Sequence, residues 1–197
     1  MATNISIDQI KKLKELSGVG LTDAKNALVE ANGDFDKALE AMRKKGLTKA
    51  EKRGDRETRE GLVDSYVHDG RIGALVELNC ETSFVAKTDE FKDLAHKLAM
   101  QVASMNPLYV SENDIPGDVK NAKLKELEEN FKGPEKMKDQ ILDGQMKKAF
   151  ADKVLLSQPY ILDDSKTVEQ FIKESIAKTG ENITVRQFKR VELGVTE

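Results

Sequence analysis

The dipeptide Asp69-Gly70 constrains this fold more than any other feature of the chain. It separates two strand-like runs, Leu62-Val63-Asp64-Ser65-Tyr66-Val67 and Ile72-Gly73-Ala74-Leu75-Val76-Glu77-Leu78. Asp-Gly favours a two-residue connection in which both central positions take positive φ, so the segment predicts an antiparallel hairpin. A third run, Ile183 to Val191, is expected to join it. Its apolar phase slips by one between Val185 and Phe188, which predicts a bulge near Arg186-Gln187. The expected class is α+β: a small antiparallel sheet with helices packed on one side.

Ahead of the hairpin the pattern is helical. Ser6-Ile7-Asp8-Gln9 reads as a capping box, flanked by Ile5 and Ile10 as a hydrophobic staple. The first helix carries Ile10, Leu13 and Leu16 and stops at Ser17-Gly18-Val19-Gly20. Thr22 is the expected N-cap of a second helix, with Asp23 at its positive end and Ala24, Ala27, Leu28 and Ala31 on one face. Asn32-Gly33 ends it, and Asp34 caps a third helix bearing Phe35, Ala38, Leu39 and Met42 that is expected to stop near Gly46. Residues 1–47 therefore predict a three-helix bundle. Its loop, Gly18-Val19-Gly20-Leu21, offers either tight packing or an apolar tip for a partner. As a dinucleotide fingerprint the loop fails, because no strand precedes it and the third Gly is missing. Residues 48–60, charged and poor in apolar side chains, read as a linker, and 61–197 as a core domain.

The hairpin leads into Asn79-Cys80-Glu81-Thr82-Ser83-Phe84-Val85-Ala86-Lys87, with a large aromatic in the turn itself. From spacing alone Phe84 either packs back onto the core or anchors a partner. Thr88-Asp89-Glu90 then caps a helix with Phe91, Leu94, Ala95, Leu98 and Val102 on its buried stripe, ended by Met105-Asn106-Pro107. Between 107 and 160, prolines punctuate two charged helical stretches, about 118–131 and 134–151, whose narrow stripes suit a protruding arm or a surface that meets another chain. Thr167-Val168-Glu169-Gln170 is a second capping box, opening a helix with Phe171, Ile172 and Ile176 that ends at Gly180.

The residue inventory narrows the chemistry. With 32 basic and 35 acidic residues interspersed, the net charge is −3, without the basic excess that nucleic acid demands. The densest basic cluster, Arg43 to Arg59, is diluted by Glu51, Asp55, Glu57 and Glu60. A single cysteine, Cys80, permits no internal disulfide and is expected to be buried and inert in a reducing compartment. No apolar run reaches membrane-spanning length, and the N-terminus carries neither signal nor transit pattern, so a cytoplasmic protein is expected. Two histidines, His68 and His96, and one cysteine leave no zinc spacing, nucleophile elbow, phosphate loop or calcium loop. An enzyme is not expected, nor a metal or other cofactor.

Three stretches resemble elongation factor Ts. Leu13 to Leu28, followed by Ala31-Asn32-Gly33-Asp34, is similar to that family's ubiquitin-associated-like N-terminal domain. Asn79 to Ala86 resembles its central signature, and Gly180-Glu181-Asn182-Ile183 with Val185-Arg186 its C-terminal one. The matches fall in family order over nearly the whole chain, which looks like the short, single-core form that associates as a homodimer. The resemblance implies guanine-nucleotide exchange on elongation factor Tu without covalent chemistry. It implies that Phe84, flanked by Thr82, Ser83 and Val85, inserts into the GTPase and disturbs its Mg²⁺ site. It also implies that Lys14, Leu21 and Thr22 touch a helix of the GTPase domain. Ser83 departs from the family, where an Asp is usual; its hydroxyl is expected to keep the capping ability while the negative charge is lost. Two other readings stand beside exchange: a helical adaptor that docks a protein without affecting nucleotide, and an RNA-binding accessory resting only on the Arg43–Arg59 cluster.

Overall fold

The computed structural model describes residues 5–17 and 20–195. Three helices come first: α1 (Ile7–Ser17), α2 (Leu21–Glu30) and α3 (Phe35–Glu51). The first capping box forms as expected, with the Gln9 N–H donating to Ser6 Oγ at 3.1 Å and Gln9 Oε1 accepting the Ser6 N–H at 3.0 Å. Asp34 caps α3 by accepting the Lys37 N–H at 3.1 Å. Leu13, Ala24, Ala27, Leu28, Ala38 and Met42 are buried between the helices, with Ile5, Ile10 and Phe35 against their edge. The small alanines let three short helices approach closely around two leucines and a methionine.

The hairpin is β1 (Glu60–His68) and β2 (Ile72–Cys80), and β5 (Ile183–Glu192) completes an antiparallel sheet of order β1-β2-β5. Asp69 and Gly70 take φ of 50° and 66°, and the Arg71 N–H closes the turn on His68 O at 2.9 Å. His68 pairs with Ile72, so three residues rather than the expected two lie in the connection. Glu77 faces Gln187 while Leu78 faces Val185, which leaves Arg186 as the extra residue of a bulge where the sequence placed one. The bulge keeps Ile183, Val185 and Phe188 on the inner face together.

That inner face, carrying Ala74, Val76, Leu78 and Cys80, lies under α5 (Asp89–Met105) and α8 (Val168–Thr179). Thr88 caps α5 by accepting the Phe91 N–H, and the expected stripe from Phe91 to Val102 is buried. Gln101 is buried on the same face, which the sequence did not lead us to expect. Its amide donates to Gln158 Oε1 and Pro159 O, both at 3.1 Å, and accepts the Ile161 N–H at 2.9 Å. The Gln158 amide donates in turn to Met105 O and Asp152 O, so both buried amides are paired and pin the returning chain to α5.

Between α5 and α8 run α6 (Gly117–Glu129), α7 (Lys138–Phe150) and an unanticipated ribbon of β3 (Pro159–Tyr160) and β4 (Asp163–Thr167). The two helices pack on one another as an arm. The Thr167–Gln170 capping box starts α8, and Gly180, at φ 80°, ends it. On the outer face of the sheet Val63, Val67, Leu75 and Val191 are exposed. Among the described residues no helix is long and apolar enough to cross a membrane.

Two helix ends differ from expectation. Gly20, not Thr22, is the N-cap position of α2: its carbonyl already accepts the Ala24 N–H at 3.0 Å, so the first turn closes before Thr22 could cap it. And α3 does not stop at Gly46 but continues to Glu51, into the stretch expected to be linker. Gly46 is the point where α3 crosses α8, and a Cβ there would lie 3.2 Å from Ala177 Cβ. The glycine serves helix contact, not helix termination.

Candidate functional site

The central stretch becomes a rigid step between strand and helix. After Cys80 the chain passes through Thr82, which is extended at φ −130° and ψ 152°, into a one-turn helix, α4 (Ser83–Ala86). A single turn points successive side chains in different directions. Ala86 is buried and Val85 packs against the main core, whereas Phe84 is 84% exposed. The side chain that spacing alone allowed to be a core staple projects into solvent instead. Burial of an aromatic contributes strongly to binding, so one held out of its own core is a ready anchor.

The backing of this turn is polar and spans the chain. The Thr88 hydroxyl donates to Val85 O at 2.8 Å, joining α4 to the cap of α5. The Cys80 thiol donates to Thr82 O at 3.2 Å; burial, then the nearby Glu181 carboxylate, pushes its pKa up and keeps it protonated for that role. Thr82 donates twice to Glu181, from its N–H to Oε2 at 3.0 Å and from its hydroxyl to Oε1 at 2.5 Å. In the opposite sense, Glu81 Oε1 accepts the Asn182 N–H at 2.6 Å. The buried Asn182 amide donates onward to Gly54 O at 3.2 Å and Arg56 O at 2.8 Å.

Of the four residues expected in the turn, then, Phe84 alone projects fully. Thr82 spends its hydroxyl on Glu181, Val85 packs inward, and Ser83 is half-buried at the first helical position, past the cap. Ser83 therefore does not cap the helix. Lys14, Leu21 and Thr22 are exposed where the last turn of α1 meets the first turn of α2, Leu21 at 54%. The rest of the expected tip, Gly18 and Val19, lies outside the described residues. The two regions share a support, because α3 of the bundle packs on α8 and α8 runs directly into Glu181.

Glu81, Glu181 and Asn182 were not singled out as functional by type or spacing. The available signal was their place inside the two stretches that resemble family signatures, Asn79 to Ala86 and Gly180 to Ile183. Other polar groups have local duties. His96 Nδ1 lies 3.2 Å from Asp64 Oδ2 with its ring edge-on to Tyr66, whose hydroxyl is 3.0 Å from His68 Nδ1. Within the basic cluster, Arg53 donates to Ile176 O, Arg56 meets Glu81, and Arg59 pairs with Glu57. No group of three His, Cys, Asp or Glu side chains able to hold a metal occurs among the described residues.

A large aromatic held outward on a braced turn, and a second exposed apolar residue at the start of α2, are features of the kind that protein-docking scaffolds present. Comparison with known proteins makes the class specific. The sequence model of the family described as "Elongation factor TS" matches residues 8–195. The chain is 52% identical over 192 residues to "Elongation factor Ts" of Thermotoga maritima, covering 96% of each protein. It is 49% identical over 195 residues to that of Moorella thermoacetica, again covering 96% of each. With that of Fervidobacterium nodosum it shares 47% identity over 194 residues, covering 96% of this chain and 98% of the relative. The chain belongs to the elongation factor Ts family of translation elongation factors.

Proposed function

We propose that this protein is a guanine-nucleotide exchange factor for elongation factor Tu, and that it works by binding alone. The observation that carries this reading is Phe84, 84% exposed on a turn whose entry is held by Glu181 at the Thr82 N–H and whose exit is held by the Thr88 hydroxyl at Val85 O. A protein that binds the nucleotide-free GTPase more tightly than its GDP form must weaken GDP binding by the same factor, so no covalent step and no cofactor is required. Phe84 inserts into the GTPase domain and displaces the surroundings of its Mg²⁺. That ion demands near-ideal octahedral geometry, and a small displacement loosens ion and phosphate together. With Ser83 in the turn rather than an acid, the effect is steric and not electrostatic.

In the same reading residues 1–47 form the docking domain, in which Lys14, Leu21 and Thr22 contact a helix of the GTPase, and Leu21 supplies the apolar part. Residues 61–197 are the exchange core. The protein works in the cytoplasm, without nucleic acid or membrane, as a homodimer. The outer sheet face with Val63, Val67, Leu75 and Val191 and the arm over 107–160 are the surfaces that favour self-association.

The test is release of a fluorescent GDP from the source organism's elongation factor Tu. Acceleration at substoichiometric factor is expected, falling by about 30-fold or more in Phe84→Ala, the effect of losing a central anchor worth about 2 kcal/mol. Tight complex formation with no acceleration would make the protein an adaptor instead.

A further inference from the structure

Thr82 and Asn182 lie at the same end of the sheet, one just after β2 and the other just before β5, where Cys80 pairs with Ile183. Each gives its backbone N–H to the glutamate that precedes the other: Thr82 to Glu181, and Asn182 to Glu81. The two bonds form a reciprocal exchange between segments 101 positions apart for Glu81–Asn182 and 99 for Thr82–Glu181. Carboxylate-to-amide bonds are charge-assisted and stronger than neutral ones. Glu181 takes a second bond from the Thr82 hydroxyl, and Arg56 reaches Glu81 at 3.4 Å. The Asn182 side chain meanwhile holds the carbonyls of Gly54 and Arg56, the chain that leads out of the N-terminal helices. Three strands of the polypeptide are thus tied at one point, directly beneath the residue that opens α4.

We propose that Glu81, Glu181 and Asn182 are positioning residues for exchange: they lock the Phe84 turn in its projecting conformation. This rests on the reading of Phe84 as the element that displaces GDP. The physical reason is preorganisation. A one-turn helix has too few internal hydrogen bonds to hold itself, and α4 is tied at its ends by the bonds of Ala86 to Thr82 O, Lys87 to Phe84 O and Thr88 to Val85 O. Without the clamp the turn samples other conformations, and the ordering cost falls on the step in which Phe84 must displace its neighbours in the partner. None of the three clamp residues needs to touch the partner. The clamp also ties the chain that leads out of α3, at Gly54 and Arg56, to the base of the turn.

The experiment uses the full-length chain with Glu181→Ala, Phe84→Ala and the double variant, each measured two ways. Amide hydrogen exchange is read at Ala86 and Thr88, whose N–H groups are bonded within the turn and do not touch Glu181. GDP release is read over a titration of factor, which separates the maximal rate from the half-saturating concentration. In Glu181→Ala the two amides are expected to exchange about 10-fold faster while those in the middle of α5 do not change. The maximal release rate falls about 5-fold with little change in half-saturation. The double variant is no slower than Phe84→Ala alone, as for residues acting through one element. Unaltered exchange at Ala86 and Thr88, or losses that multiply in the double variant, would overturn the positioning role. If Phe84→Ala itself released GDP at the wild-type rate, the reading of Phe84 would fall first, and the amide data would report the clamp separately. Should Glu181→Ala not fold, Glu181→Gln, which keeps one acceptor oxygen for the two donors of Thr82, carries the same readouts at intermediate size.

Discussion

The two exposed apolar groups, Phe84 and Leu21, stand on different footings. Phe84 rises from a turn that Glu181, Glu81 and the Thr88 cap hold from three directions, over a core built on Leu78, Phe91 and Leu98. Leu21 opens a helix whose N-cap is Gly20, with no side-chain bond to the free amides. Its bundle has the small cluster of Leu13, Leu28 and Met42 with their alanines at its centre. A group that must displace part of its partner gains from stiff backing, because any yielding of the turn relieves the pressure it applies. A group that only docks tolerates adjustment. Under the proposed function, the contrast predicts that Phe84 governs the rate of exchange and Leu21 the affinity that brings the proteins together.

The strongest way to break this contrast is through the supports. Leu98, fully buried under the sheet, should cost about 2–5 kcal/mol as Leu98→Ala, lowering Tm by about 10 °C and weakening protection across β1, β2 and α5. Leu28→Ala removes a comparable side chain from the bundle. Its damage should be confined to exchange in α1 to α3, with the sheet's slowest amides unaltered. If Leu28→Ala loosened the central sheet as much as Leu98→Ala does, the two regions would be one cooperative unit and the contrast would fail. A smaller effect comes from the tip itself. Leu21→Ala should weaken complex formation about 3- to 10-fold, raising the half-saturating factor concentration while the maximal release rate stays within about 2-fold. A drop in maximal rate would place Leu21 in the exchange step.

The smallest effect is a titration in the core region. Tyr160, buried and stacked on Phe171 at 4.1 Å between centroids, has its pKa pushed up to about 12 by burial, then by Asp93 and Asp163. A phenol raised above its unfolded value of about 10 contributes stability that is whole below that pH and is lost as pH rises toward 12. Ultraviolet titration should therefore show one of the three tyrosines ionising last, and Tyr160→Phe should remove that step. A late step that survived in Tyr160→Phe would contradict it.

Much of the fold was legible because its signals are local. The Asp69-Gly70 turn, the Ser6–Gln9 and Thr167–Gln170 boxes, the α5 stripe and the bulge at Arg186 each rest on residues within a few positions of one another. Phe84 was legible as a candidate, but not its direction. What the sequence hid depends on distant partners. Gly46 reads as a helix stop until α8 arrives with Ala177. Gln101 reads as a polar break in an apolar face until Gln158 meets it. Glu81 and Glu181 read as members of two separate signature stretches, with nothing to say that they meet, until the sheet brings each to the other's neighbour. The clamp beneath the site was invisible for the same reason.

The decisive measurement is the GDP-release rate from elongation factor Tu with wild-type protein and with Phe84→Ala, alongside the thermal unfolding of both. Because Phe84 is 84% exposed, its removal should leave Tm within about 2 °C, while substoichiometric wild type accelerates release and the variant loses about 30-fold or more of that acceleration. A folded Phe84→Ala protein that still releases GDP at the wild-type rate would contradict the wedge.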